Sequence, residues 1–349
     1  MVGELTPVRF DPSTAGRDAW TRYHVMRRLR HAEMQPDDPV EPDEVVEVQM
    51  KKANPFEFHH HYEISRDGVM LSKLWVETIT PENPEYETNK HLMWADVYVR
   101  QDHRRKGIAS AWLPVIAELM RTHGCTVVGG TADREPGHAF LTWLGADSKL
   151  GEIESRLELA KVDWDLMRRW VDDGQRRSPS TRLEIYHEPM PEAMWPEWAA
   201  QRSALLNTMP FEDLDIGTIV VTPERMRYFY ELWAATGEVQ HEVLTREPDG
   251  LISSMTDVSW APYRPTHIHQ EFTGVNPAAR GRGLGKWIKA AMVLHVHELH
   301  PEAKWIVTEN AGSNAAMLGI NRAMGFKPHR NMVEYQISRE KLEERIRTL

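Results

Sequence analysis

A long internal repeat limits what this chain can fold into more than any single motif does. In the first half, residues 94–109 read as a strand running into a basic, glycine-bearing turn. Apolar residues at Ile108, Trp112, Val115, Ile116 and Leu119 then follow helical spacing. In the second half, residues 267–275 are the strand and 276–285 the turn, and Leu284, Ile288, Ala291, Met292 and Leu299 mark one face of the next helix. The turns end at Ala109 and Gly285, 176 residues apart. Downstream, residues 126–128 and 305–308 read as β-branched strands, each followed by a short helix ending at Leu144-Gly145-Ala146 or Met324-Gly325-Phe326. Upstream, each half has a hairpin with an Asp-Gly turn, at Asp67-Gly68 and Asp249-Gly250. Helical stretches precede the hairpins, at 19–34 and 43–53 and again at 195–206 and 223–235. The order β-α-α-β-β-β-α-β-α-β thus occurs twice. The expected fold class is α/β (α+β), with two tandem domains at 1–173 and 181–349, each a mixed twisted sheet flanked by helices. The polar stretch 174–180 reads as the linker, and a helix at 164–171 is expected to pack between the domains.

Composition narrows the function classes. At 349 residues, 41% of them hydrophobic, the chain can bury two ordinary cores. No run of about 18 apolar residues predicts a membrane span. Residues 1–30 carry no apolar segment followed by a cleavage site, so no secretory leader is expected. The single cysteine, Cys125, forms no intramolecular disulfide and reads as a packed thiol, which fits a cytoplasmic location. A net charge of -10 argues against sequence-independent nucleic-acid binding and suits a cationic, amine-bearing substrate. The oligomeric state is left open.

The strongest chemical signal is Arg280-Gly281-Arg282-Gly283-Leu284-Gly285, between a strand and a helix. The glycines let backbone approach a ligand, and amides of the first helical turn have no partner within the helix, so they can bind a diphosphate. Arg280, Arg282 and Lys286 add positive charge. A P-loop is excluded because Trp287 follows Lys286, and a dinucleotide fingerprint because the third glycine comes one position early.

Arg280, Gly283 and Gly285 resemble the acetyl-CoA diphosphate motif Arg-x-x-Gly-x-Gly/Ala of the GNAT superfamily, and Arg104, Gly107 and Ala109 repeat it. Val275 and Pro277 sit where that signature has Val and Pro. The match is fuller in the second half; in the first, Arg134 replaces the family's Asn. The resemblance implies an N-acetyltransferase-like acyltransferase that uses acetyl-CoA, or a related acyl-CoA, as co-substrate, without a metal, and a small-molecule primary amine as acceptor. It implies donor contacts from Val275, the 280–286 turn and Asn314, with Asn310 a second candidate for the Asn that touches the CoA arm.

Direct attack on a thioester needs a neutral amine and hence a base. Strict alternation puts His267, His269, Glu271 and Thr273 on one strand face, with Ile268, Gln270 and Phe272 on the other. Family members that use a base often carry it on this strand, so Glu271 and His269 are the catalytic candidates, with a merely solvated cleft as the plainer alternative. The 176-residue offset gives His91, Met93, Ala95 and Val97 on the matching face of the first half, which points to the second domain as the active one. The family's general-acid Tyr is replaced by Asn321, which leaves the proton donor to the thiolate unassigned between water and Tyr335, the latter reading more simply as a strand residue. Two other readings stay open. One is a non-catalytic acyl-CoA-binding or regulatory protein; the other is a transferase with another donor or acceptor. His59 and His61 share a strand face but lack a third ligand, so no metal site is expected.

Overall fold

A computed structural model describes residues 5–187 and 189–349; residues 1–4, which open the segment where no leader is expected, lie outside it. The chain divides into two units. Unit 1 comprises residues up to Leu150 with Glu212–Thr218 and Met332–Leu349; unit 2 comprises Gly151–Phe211 and Ile219–Asn331.

Unit 1 begins with β1 (Val8–Phe10), α1 (Arg17–Met34) and α2 (Asp43–Lys51). Next come β2 (Glu57–Arg66) and β3 (Val69–Ile79), joined by Asp67 and Gly68, both at positive φ (52° and 75°). That is the primed turn for which Asp-Gly is suited, because it matches the twist of the strands. The single-turn α3 (Tyr86–Asn89), then β4 (Leu92–Val99), α4 (Leu113–His123), β5 (Val127–Ala132) and α5 (Glu135–Leu144) follow. The sheet order is β1-β2-β3-β4-β5. One face packs Leu74 and Met93 on Trp112, Leu113 and Met120; the other packs Met70 and Tyr98 on Trp20, Tyr23 and Met26 of α1.

The chain continues through β6 (Asp147–Glu158), α6 (Trp164–Arg177), β7 (Arg182–Tyr186), α7 (Trp195–Leu206) and α8 (Pro223–Thr236). Then come β8 (Val239–Arg246), β9 (Ile252–Trp260), β10 (His267–Val275), α9 (Leu284–Leu299), β11 (Trp305–Ala311) and α10 (Ala315–Met324). β12 (Lys327–Ser338) and α11 (Arg339–Arg347) close it. In unit 2 the sheet order is β6-β11-β10-β9-β8-β7. α9 buries Ile288, Met292 and Val296 on one face, while Trp195, Trp198 and Leu205 of α7 pack on Leu244, Met255 and Phe272 on the other.

Two expectations about organisation need correction. The units do not follow the 1–173 and 181–349 division, because each takes its last strand from the other half of the chain. Residues 152–158 of β6 pair antiparallel with β11, and residues 333–338 of β12 pair antiparallel with β5. Main-chain ladders are indifferent to which half supplies the strand, so the sequence pattern is the same either way. The 174–180 linker and interdomain helix are also replaced. Residues 164–177 form one helix, capped by Asp163 accepting from the Leu166 amide (2.9 Å), and it packs on α9 inside unit 2. Gly174 is the contact point: a Cβ there would lie 2.3 Å from the Trp287 ring.

Candidate functional site

The turn after β10 is built as its glycines suggest. The Asn276 side chain accepts from the Ala278 amide (3.0 Å), Gly281 and Gly283 take φ of 80° and 87°, and α9 starts at Leu284. The amides of Lys286 and Trp287 turn back to the Gly283 carbonyl (3.1 Å each). Those of residues 281–285 find no acceptor among the described residues, so they remain able to hold an anion.

The positive charge expected there is partly diverted. Arg280 donates to the Val275 carbonyl and to Thr208 (3.2 Å each), tying the strand end to the turn. Arg282 is held by Glu247 (2.8 Å) and Thr181 (2.5 Å). Lys286 lies 5.0 Å from the Trp170 ring. Arg177 was missed by sequence reasoning because its stretch resembled a linker. It lies at the turn, where a Cβ on Gly283 would be 3.3 Å from its Nη1, and it has no ion pair among the described residues. Its signal was its place at the end of an amphipathic helical stretch.

Beside this turn the sheet opens. β10 and β11 pair in parallel only from His267↔Trp305 to Gln270↔Thr308, although both strands run further. On its other side β10 has a bulge between Gln270 and Phe272. The extra residue, Glu271, breaks the strict alternation expected from sequence. Thr273 moves to the face of Gln270, and both reach Thr256 Oγ1 (2.8 Å each). Phe272 instead joins the face of His269 and packs into the α7 cluster.

His269 and Glu271 are exposed at the strand surface yet closely surrounded by protein atoms. Burial, helped by Arg264, pushes the His269 imidazole down to about 3. The same burial raises Glu271, against a hydrogen bond donated by Ser259 (2.7 Å). Glu309 on β11 was not anticipated. Val307 pairs with His269, so Glu309, two residues on, shares its face. Burial, with Glu152 and Glu154 nearby, raises it to about 7.

The asparagines have structural partners. Asn314 caps α10, accepting from the Met317 amide (3.2 Å), and Asn310 Oδ1 accepts from the buried Asn321 Nδ2 (2.7 Å). Tyr335 belongs to unit 1, where its hydroxyl meets His138 Nδ1 at 3.0 Å.

In unit 1, Arg104 likewise donates to the Val99 carbonyl (3.1 Å), and Arg105 and Gly107 take φ of 60° and 78°. β4 and β5 also pair only from Leu92 to Trp94. β4 pairs with β3 without a bulge, however, so the offset that places Met93, Ala95 and Val97 opposite the unit 2 floor fails upstream of Glu271. The corresponding face is Trp94, Asp96 and Tyr98, and it is not apolar: Asp96 pairs with Arg30 (3.2 Å) and Tyr98 donates to Glu33 (2.8 Å). His91 lies before β4 and meets Asp215 at 3.0 Å. His59 sits between Glu57 and Glu77, 3.2 Å from each; burial opposes its charge but the two carboxylates raise it to about 9. Glu57 and Glu77 thus supply the further ligands that His59 and His61 lacked in sequence, and the three groups lie close enough together to hold a metal ion.

The Acetyltransferase (GNAT) family model matches residues 24–146, in the half where the motif was less complete. No curated protein matches the chain. Among solved structures it is similar to a tandem GNAT protein from the clavulanic acid biosynthesis pathway, at 20% identity and a TM-score of 0.74, over 96% of this chain and 99% of that one. A GCN5-related N-acetyltransferase from Sphaerobacter thermophilus gives 13% and 0.61, over 96% and 95%. A glucosamine N-acetyltransferase region in a fungal multi-domain beta-N-acetylglucosaminidase gives 12% and 0.66, over 96% of this chain and 38% of that one. At these identities the structural likeness speaks for the fold, and the family model adds the kinship of unit 1. No helix among the described residues is long and apolar enough to cross a membrane. Residues 24–146 thus match the GNAT family model, and the whole chain has the fold of a tandem GNAT protein, with a motif-bearing turn in each half.

Proposed function

We propose that unit 2 moves an acetyl group from acetyl-CoA to a small primary amine by direct attack, with Glu271 as general base and unit 1 in a structural or substrate-shaping role. The observation that carries this reading is one strand, β10, on which a bulged carboxylate stands beside an opened sheet and a helix start with unpaired amides.

The residues present fit an acyl-CoA. The 281–285 amides, Lys286 and Arg177 suit a diphosphate. The main-chain groups of 271–275, unpaired toward β11, suit the amides of the pantetheine arm. Bound there, the donor supplies an activated thioester. Glu271, raised by burial, accepts a proton from the incoming amine more readily than an ordinary carboxylate does. His269, held near about 3, serves as a neutral hydrogen-bonding group in the cleft and is a weak base. Glu309 is the alternative base on the same face.

The test is thiol release from acetyl-CoA by the full chain across a panel of primary amines. Release above the hydrolysis background with at least one amine supports transfer. A second reading, acyl-CoA binding without catalysis, is favoured by Asn321, which is buried against Asn310 where the family has its acid. Tight CoA binding without release for any amine would select it.

A further inference from the structure

The β2–β3 hairpin of unit 1 brings together three donor groups that the proposed transfer does not use. His59 on β2 is the direct cross-strand partner of Glu77 on β3, and Glu57 lies two residues before His59. Residues two apart on a strand project from one face, as do residues directly opposite across a ladder. The ladder runs without a shift from Glu57↔Ile79 to Ile64↔Ser72, so the main chain fixes this convergence.

The distances suit ligands of one ion better than hydrogen bonds. His59 Nε2 stands 3.2 Å from Glu57 Oε2 and 3.2 Å from Glu77 Oε2, and one ligand atom from each residue lies within 4.8 Å of the other two. A ring nitrogen carries at most one proton to aim at an acceptor, and charge-assisted hydrogen bonds are shorter, about 2.7–2.9 Å. Around a tetrahedral ion with bonds of about 2.0–2.2 Å, neighbouring ligand atoms stand about 3.3–3.5 Å apart, close to what His59 shows. Asn54 Nδ2 donates to the same Glu57 oxygen (2.6 Å), while Asn54 Oδ1 accepts from the Phe56 amide (3.0 Å). Outer hydrogen bonds of this kind orient ligand carboxylates. All three side chains are partly exposed, so an ion can reach them from solvent. A neutral imidazole with two carboxylates also balances a divalent charge.

We propose that Glu57, His59 and Glu77 form a site for a divalent transition-metal ion of the zinc class, which ties β2 to β3 and keeps one position open to water. The imidazole favours Zn²⁺ over Ca²⁺, which prefers an all-oxygen shell. Any proton on His59 Nε2 leaves to solvent as the ion enters, because the ligand must be neutral. The site stands or falls independently of acyl transfer in unit 2.

Calorimetry of ZnCl₂ into the chelator-treated full chain at neutral pH, in a buffer that does not bind metal, tests this. Zinc should bind with micromolar affinity, and Ca²⁺ at least about tenfold more weakly. Glu77→Gln and His59→Gln should each weaken zinc binding at least about tenfold, since even changes outside the ligand set cost that much. His60→Gln is the control, because His60 faces the other side of the strand and meets His123 Nε2 at 2.9 Å. It should leave the affinity within about twofold. Zinc should also raise the melting temperature of the natural chain, and raise that of His59→Gln far less. No zinc binding by the natural chain, Ca²⁺ bound as tightly as zinc, or unchanged zinc affinity in Glu77→Gln and His59→Gln would overturn the inference. So would a loss in His60→Gln as large as in His59→Gln, which would move the ion to the His60–His123 pair. Binding and ion preference in the natural chain stand as tests even if one variant misfolds.

Discussion

The two units share the turn and differ in the strand that leads into it. In both, an arginine braces the strand-end carbonyl, Arg104 to Val99 and Arg280 to Val275, and two positive φ angles follow at the same spacing. In unit 2 the helix begins directly at Leu284; in unit 1 a 3₁₀ turn at Ser110–Trp112 comes before α4. Upstream, β10 carries the extra residue Glu271, whereas β4 runs in register. In unit 1 the Trp94 ring also lies over Gly129, so close that a Cβ there would be 2.4 Å from it. Arg134, in place of the family's Asn, donates to the carbonyls of Glu33 and Met34. The turn is therefore a scaffold both units keep. What differs is the set of side chains the strand presents, and one inserted residue changes that.

The sharpest way to break this comparison is to remove the bulged carboxylate. Glu271→Gln should lower kcat/KM by about 10²- to 10⁴-fold at neutral pH, the usual worth of a general base. Recovery should be partial at high pH, as free amine becomes abundant. Asp96→Asn, on the matching face of unit 1, should leave turnover within about twofold if only one unit reacts. A pH–rate profile of each variant with one confirmed amine reads this. An unchanged profile for Glu271→Gln would hand the role to Glu309, whose value of about 7 predicts a limb near neutrality.

The second test compares the turns. Gly283→Val and Gly107→Val each force a β-branched residue to positive φ, so both lose stability, by roughly 1–3 kcal/mol. Only Gly283→Val should weaken CoA binding, by about tenfold or more, because it crowds the amides proposed to hold the diphosphate. Calorimetry beside melting curves separates the two effects. Equal losses of affinity would mean that unit 1 binds the donor too.

What the sequence could say follows the same division. The turn was legible because positive φ selects glycine, although Arg105 shows the selection is not absolute. The hairpins and the apolar faces of α4 and α9 were legible for similar local reasons. The bulge was not: His267, His269, Glu271 and Thr273 alternate as an unbroken strand would, and only the ladder with β9 shows Thr273 turned inward. Gly174 read as a linker because a glycine needed for helix packing on Trp287 looks the same in sequence as one needed for a turn. The exchange of β6 and β12 left no trace, since edge pairing uses main-chain groups.

A smaller effect is expected at Arg177. Arg177→Ala removes an exposed cation beside Gly283 without touching the amides. CoA affinity should fall by about three- to fivefold at low salt, and the difference should shrink as ionic strength rises, because exposed charges are screened. A loss that is insensitive to salt would mean that Arg177 acts by shaping the turn rather than by charge.

The smallest effect lies in unit 1 and has the opposite sign to that expected of His241 in unit 2. His59 is raised to about 9 by Glu57 and Glu77, whereas His241 in unit 2 is lowered to about 3 by burial and by His300, whose Nε2 lies 2.8 Å from its own. A raised imidazole stabilises the fold fully below its unfolded value of 6.5, and that contribution is lost as pH rises through about 9. A lowered one does the reverse: its contribution is present above 6.5 and drains away as pH falls toward about 3. His59→Gln should therefore cost stability at pH 6 and almost nothing at pH 10. Because the His59 side chain is 36% exposed, solvent screens the pair and the cost at pH 6 should stay under about 1 kcal/mol. His241→Gln should show its effect on the acid side, by slowing the loss of stability as pH falls below 6. Melting curves of both variants from pH 4 to 10 read the two slopes. Parallel offsets from the natural chain at every pH would mean that neither histidine acts through its proton, and that both are packing residues.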